Sequence, residues 1–187
     1  MRNLLQGQNI ILTALKEGEE NILQQWFGNV KFMRHYDIVP AMPLSKKKIV
    51  EMINCYEDSE ERLLLAVRTA ETQQLIGVAG FDEIVWSNGT AFLFLGIGDL
   101  NFRGKGLGSE ILNLLIDYGF NELNFHKIQL NVIEYNKAAI KLYEKAGFIR
   151  EGLYREYICR DGRRYHLYLY GLLKSEWNRE LQPFTAE

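Results

Sequence analysis

The chain has 187 residues, 47% of them hydrophobic and 25% charged, with a net charge of −2 and a pI near 6.0. A domain of that length hides about 70% of its unfolded surface, so one domain over residues 1–187 is expected, with a polar tail at 178–187 expected to be disordered. The composition offers no basic excess for nucleic acid, no run near the ~18 apolar residues of a membrane span, and no signal peptide in MRNLLQGQNI; a cytoplasmic protein is expected.

The elements follow in chain order. Residues 10–14 form a short β-type run. Residues 19–27 place Ile22, Leu23, Trp26 and Phe27 on one helical face. Ser45 is placed to cap a second helix with a stripe of Ile49, Met52, Ile53 and Tyr56. Strands are predicted over 62–68 and 75–84. Asn88-Gly89 then signals a hairpin with a type I′ turn, so residues 91–98 return antiparallel.

A glycine-rich loop, NFRGKGLGSE over 101–110, follows. Beyond it Leu107, Ile111, Leu114, Leu115 and Tyr118 recur at helical spacing. A strand over 127–133, a helix over 137–146 ended by Gly147, and two strands over 148–158 and 165–173 complete the pattern. The strand–helix–strand unit forces one parallel pair, which makes the fold α+β with a mixed sheet. Cys55 and Cys159 lie outside any CxxC pattern and are read as reduced structural thiols. His35, His126 and His166 show no metal-ligand spacing, so no metal is expected.

The loop is the chemical signal. Glycines let main-chain N–H groups approach a ligand, a helix N-terminus adds unpaired donors, and Arg103 and Lys105 add cations; the combination suits a pyrophosphate. It is neither of two familiar phosphate loops. Gly98 is one residue too far from Gly104-Lys105 for a Walker A loop, and Gly106 stands where the hydroxyl residue belongs. Gly104, Gly106 and Gly108 space as GxGxG rather than GxGxxG. On the loop alone, a tight turn with solvated cations explains the sequence equally well.

The wider stretch LGIGDLNFRGKGLG (95–108) resembles the acetyl-CoA-binding motif of the GNAT acetyltransferases. NKAAIKLYEKAGF (136–148) is similar to that family's second signature. GLYREYICRDGRRYHLYLYGLLKSEW resembles the branch containing the ribosomal-protein N-terminal and spermidine acetyltransferases. The resemblance implies the GNAT fold: a mostly antiparallel sheet of about seven strands, splayed at the cofactor site and flanked by about four helices. It implies that Gly96, Ile97 and Gly98 form a strand edge pairing with pantetheine, although both glycines also suit a bulge. It places the pyrophosphate on the N–H groups of Arg103, Gly104, Lys105, Gly106, Leu107, Gly108 and Ser109. Tyr143 would protonate the departing thiolate, and Asn136 would cap its helix or bond the cofactor.

The activity implied is acetyl transfer from acetyl-CoA to a primary amine by direct attack, with a protein N-terminal amine as the main expectation. A spermidine-type polyamine is the alternative acceptor, and a non-catalytic CoA-binding module is the rival class. Some relatives carry a Glu base where this chain has Asn131; Asp82, Glu83 and Glu134 are the substitutes on nearby strand ends. Leu100 replaces a frequent proline, and Leu167 an Asp that many relatives place after the histidine. The acceptor pocket is expected from the first helices, the loop near His35, Tyr36, Asp37 and Ile38, and the last two strands. Those tyrosine-rich strands also suggest a homodimer.

Overall fold

The computed structural model describes residues 3–177, so the expected tail at 178–187 lies outside the described residues. The elements are β1 (Ile10–Thr13), α1 (Glu20–Phe27), α2 (Val30–Tyr36), α3 (Lys46–Glu57), β2 (Leu63–Thr69), β3 (Leu75–Val85), β4 (Thr90–Ile97), α4 (Leu107–Asn121), β5 (Lys127–Ile133), α5 (Lys137–Lys145), β6 (Ile149–Arg160) and β7 (Arg163–Leu173). All seven strands join one sheet in the order β1-β2-β3-β4-β5-β7-β6. Every neighbouring pair is antiparallel except β4–β5. The α+β class and strand number are as expected. Five α-helices flank the sheet rather than about four, and the addition is α2.

Local chemistry explains the boundaries. Asn29 starts α2 by accepting from Lys31 N and Phe32 N at 2.9 and 3.2 Å. Ser45 caps α3 through Lys48 N. Gly147, with φ of +96°, ends α5 in the left-handed region that a side chain would resist. The β3–β4 hairpin forms, but not through a type I′ turn. Residues 86–89 connect the strands, Asn88 N and Gly89 N return to Val85 O and Trp86 O, and of the pair Asn88-Gly89 only Gly89 has positive φ. The two-residue turn with both φ positive is Asp161-Gly162, between β6 and β7.

Each sheet face buries its own core. α4 and α5 cover Phe81, Leu93, Ile128 and Leu130 with Leu112, Leu115, Phe120 and Ile140. On the other face α1, α2 and α3 supply Leu23, Phe27, Phe32 and Ile49 against Ala66 and Val78. Each such side chain contributes about 1.5–3 kcal/mol on full burial. Glu110 in the first turn of α4 accepts from Asn9 N and Ile10 N at 2.7 and 3.2 Å, fixing the edge strand to the helix behind the glycine loop. The buried Arg68 is held by Glu19 through bonds of 2.6 and 2.7 Å. Cys55 and Cys159 are free and exposed, so they are not the packed thiols expected. At the other rim β6 exposes Tyr154 and Tyr157. Among the described residues no helix is long and apolar enough to cross a membrane.

Candidate active site

The one parallel pair is cut short. β4 and β5 are in register at Thr90–Lys127, Ala91–Ile128 and Phe92–Gln129 and no farther. Residues 93–97 and 130–133 then diverge, which leaves the edge of β4 unpaired. Aromatic rings stand above the end of the strand. A Cβ on Gly96 would lie 2.6 Å from the Tyr36 ring, and one on Gly98 would lie 2.0 Å from the Trp26 ring. The two glycines therefore let the aromatics of α1 and α2 rest on the end of β4. Gly98 N and Asp99 N both donate to Ile76 O at 3.0 and 3.1 Å. That is the shared-acceptor pattern of a bulge, and it falls at Gly98; Gly96 keeps regular register with Val78. Gly98 faces β3, so alternation turns the carbonyl of Ile97 toward the open side. Arg103 Nε donates to that carbonyl at 2.9 Å, with its guanidinium 5.6 Å from the Phe32 centroid.

A cleft of about 400 Å³ fills the divergence. Its walls include His35, Tyr36, Asp37 and Ile38 at the end of α2, Gly96 and Ile97 of β4, Asn131 of β5, and Asn136, Leu142 and Tyr143 of the α5 region. Arg103, Gly104 and Gly108 close the loop side. The main-chain N–H of Arg103 bonds to Leu100 O and that of Ser109 to Gly106 O. Between them, Gly104, Lys105, Gly106, Leu107 and Gly108 make no such bond among the described residues. Gly104 and Gly106 have φ of +73° and +80°, and no atom comes within 4 Å of where their side chains would be. Five adjacent unpaired donors at the start of a 15-residue helix form a cradle for an anion. The loop fits a diphosphate on its own geometry. Lys105 lies over Phe102, 5.2 Å from its centroid.

Across the cleft Tyr143 is 7% exposed. Burial pushes its phenol up to about 12. Its ring packs on Phe148 at 5.9 Å, and among the described residues its hydroxyl has no hydrogen-bond partner. Asn136 serves both roles of a connector: its Oδ1 accepts from Ala139 N at 3.4 Å, capping α5, while its Nδ2 donates to His35 O at 3.2 Å. Tyr135 OH donates to Arg34 O. The end of α2 is thereby tied across the cleft to the start of α5.

None of the three substitute bases lines the cleft. Asp82 Oδ2 accepts from Tyr56 OH at 2.9 Å, with Arg62 Nε 3.7 Å from its other oxygen. Glu83 is exposed in the bulge of β3, and Glu134 accepts from His166 N at 2.9 Å. The carboxylate in the cleft wall is Asp37, which the sequence placed only within the acceptor loop. Its Oδ1 accepts from Ile38 N and Val39 N at 2.6 and 3.3 Å. Among the described residues no cluster of His, Cys, Asp or Glu could hold a metal ion.

A sheet opened at its one parallel pair, with an N–H cradle on one lip and a buried phenol on the other, defines an acyltransferase of the GNAT type. Residues 9–149 match the family model described as an acetyltransferase (GNAT) domain, and the chain belongs to that family. The uncharacterised N-acetyltransferase p20 of Bacillus licheniformis is 31% identical, over 92% of this chain and 97% of its own. The alanine N-acetyltransferase of ribosomal protein uS5 from Escherichia coli is 29% identical over 67% of this chain and 65% of its own. In structure, the chain resembles spermidine N-acetyltransferase from Vibrio cholerae, solved with CoA and spermine. The TM-score is 0.82 at 28% identity, covering 90% of this chain and 97% of that one. The protein is an acetyl-CoA-dependent N-acetyltransferase, which removes the non-catalytic CoA-binding module from consideration.

Proposed function

We propose that this acetyltransferase modifies the α-amine at the N-terminus of a polypeptide. The observation that carries the reading is the poverty of acid in the cleft: Asp37 is the one carboxylate among its lining residues. A polycation needs several carboxylates to replace its water, whereas one α-amine needs a single contact. The acceptor's own chemistry agrees. An α-amine of pKa near 8 is about a tenth neutral at pH 7, and an alkylamine near 10 about a thousandth. With Asn131 on the strand in place of a carboxylate, the amine that is more neutral at working pH needs less help from a base.

The cofactor supplies an activated thioester. The N–H groups of residues 104–108 hold its diphosphate, and the open edge of β4 beside Ile97 pairs with its pantetheine arm. Asp37 orients the incoming amine and passes its proton to water. As the new C–N bond forms and the C–S bond breaks, Tyr143 gives its phenolic proton to the departing sulfur. The phenol recovers a proton from solvent. Relatives named for ribosomal-protein and spermidine acetylation define the two arms of the test. Thiol release is measured with a panel of N-terminal peptides and with spermidine, and the modified atom is located by mass spectrometry. Acetylation of peptide α-amines is expected. Modification of spermidine with every peptide untouched would overturn the assignment in favour of the polyamine.

A further inference from the structure

The tip of the β6–β7 hairpin leans on the acceptor wall of the cleft. Arg160 Nη2 donates to the carbonyls of Asp37, Ile38 and Val39 at 3.4, 3.2 and 2.9 Å. Asp37 and Ile38 belong to that wall. Asp161 Oδ2 meets Arg34 Nη2 at 2.5 Å, one residue before His35 of the same wall. Arg163 is the register partner of Arg160, and Arg164 that of Cys159.

This tip is cationic. Asp161 is matched by Arg34, while Arg160, Arg163 and Arg164 form no ion pair among the described residues. The hydrogen bonds of Arg160 go to neutral main-chain carbonyls, and among the described residues its buried Nε has no partner. Arg163 and Arg164 are exposed. Nearby acids balance them only in part. Asp161 also lies in the field of Arg160 and Arg163, Asp37 faces the cleft, Glu134 accepts from His166 N, and Glu156 stands in the bulge farther down β6. A chain of net charge −2 thus presents an excess of guanidinium groups on the hairpin tip that leans on its acceptor wall.

We propose that the acceptor polypeptide is acidic just after its N-terminus, and that Arg163, on the same sheet face as Arg160, receives those carboxylates while Arg164 adds to the field from the other face. This rests on the N-terminal reading of the site and adds its sequence preference. Exposed charges act through encounter and orientation, so the preference appears in kcat/KM and weakens with salt. The same tip repels a polyamine.

The test uses three peptides with identical first and second residues and with Glu, Gln or Lys at positions three to six. At about 50 mM salt the order Glu > Gln > Lys is expected, with a Glu/Gln ratio of about five to ten that shrinks toward two at about 300 mM. In R163E/R164E the order inverts, and in R163Q/R164Q it flattens; circular dichroism confirms that both variants fold. Equal kcat/KM for all three peptides, or a Glu/Gln ratio unchanged in the variants, would overturn the acidic preference while leaving N-terminal acetylation intact. Absence of acetylation on every peptide, alongside spermidine turnover, overturns both.

Discussion

Tyr143 shows what burial does to the phenol proposed as the proton donor. With its pKa pushed up to about 12, it stays protonated across the neutral range. The donor form exists below the pKa, so kcat should show no falling limb from this group below about pH 11. Tyr143→Phe retains the ring contact with Phe148 and removes only the hydroxyl. A fall in kcat of about 100-fold or more is expected, with acetyl-CoA affinity by calorimetry within about twofold. An unaltered kcat would take Tyr143 out of the chemistry. Burial acts in the same direction on the carboxyl of Asp82, with a consequence for stability. Burial raises its carboxyl above 3.8, with Tyr56 and Arg62 pulling the other way. A raised folded value means the stability it contributes is full below about pH 3.8 and is lost as pH climbs through the folded value. Asp82→Asn keeps an acceptor for Tyr56 and removes that loss. Its Tm should exceed that of the parent at pH 7, and the two should converge near pH 4 in differential scanning calorimetry. A lower Tm at pH 7 would contradict the assignment. The place of Tyr143 and Asn136 in the cleft wall was legible through the resemblance of residues 136–148 to a family signature. Asp37 was not legible as the cleft's acid, since its place depends on contacts made by a segment with no sequence signal of its own.

That segment begins with α2. Val30–Tyr36 is two turns long, too short for helical periodicity to separate it from a loop, and its Asn29 cap is a local bond that many turns share. The longer helices and β2 to β4 were legible because their apolar periods run for several repeats. The β3–β4 turn was misread in detail. Asn-Gly permits type I′, but the connection uses four residues and needs left-handed backbone only at Gly89. The glycines of β4 were legible as special, though for a reason that only packing reveals. Gly98→Ala would drive a methyl into the Trp26 ring, and a loss of about 1–3 kcal/mol in urea denaturation is expected. Gly152→Ala, whose methyl would meet Leu169 at an ordinary 3.6 Å, serves as the contrast and should be nearly neutral. Equal losses at the two sites would discount the aromatic lid over β4.

The whole molecule is two pieces of sheet meeting at three residue pairs, with Tyr135, Asn136 and Arg160 strapping the end of α2 across the join. The need for a parallel pair followed from the chain's strand–helix–strand order. The insertion of β7 between β5 and β6 did not, because a hairpin's sequence does not say which of its strands meets the sheet. A ligand that spans both pieces stabilises the entire fold: acetyl-CoA at about 100 times its Kd should add about 2.7 kcal/mol, or roughly 5–10 °C in Tm. No rise in Tm at millimolar acetyl-CoA would count against the cleft as its site. The bond from Arg103 to the Ile97 carbonyl carries a kinetic consequence. A strand-like ligand pairing at Ile97 competes with the guanidinium, and because a side chain swings away in nanoseconds or less the competition is a rapid pre-equilibrium that scales the association rate. In stopped-flow mixing the observed rate constant should stay linear in ligand concentration, and replacing Arg103 with alanine should steepen the line at high salt, where the lost attraction of the cation is screened.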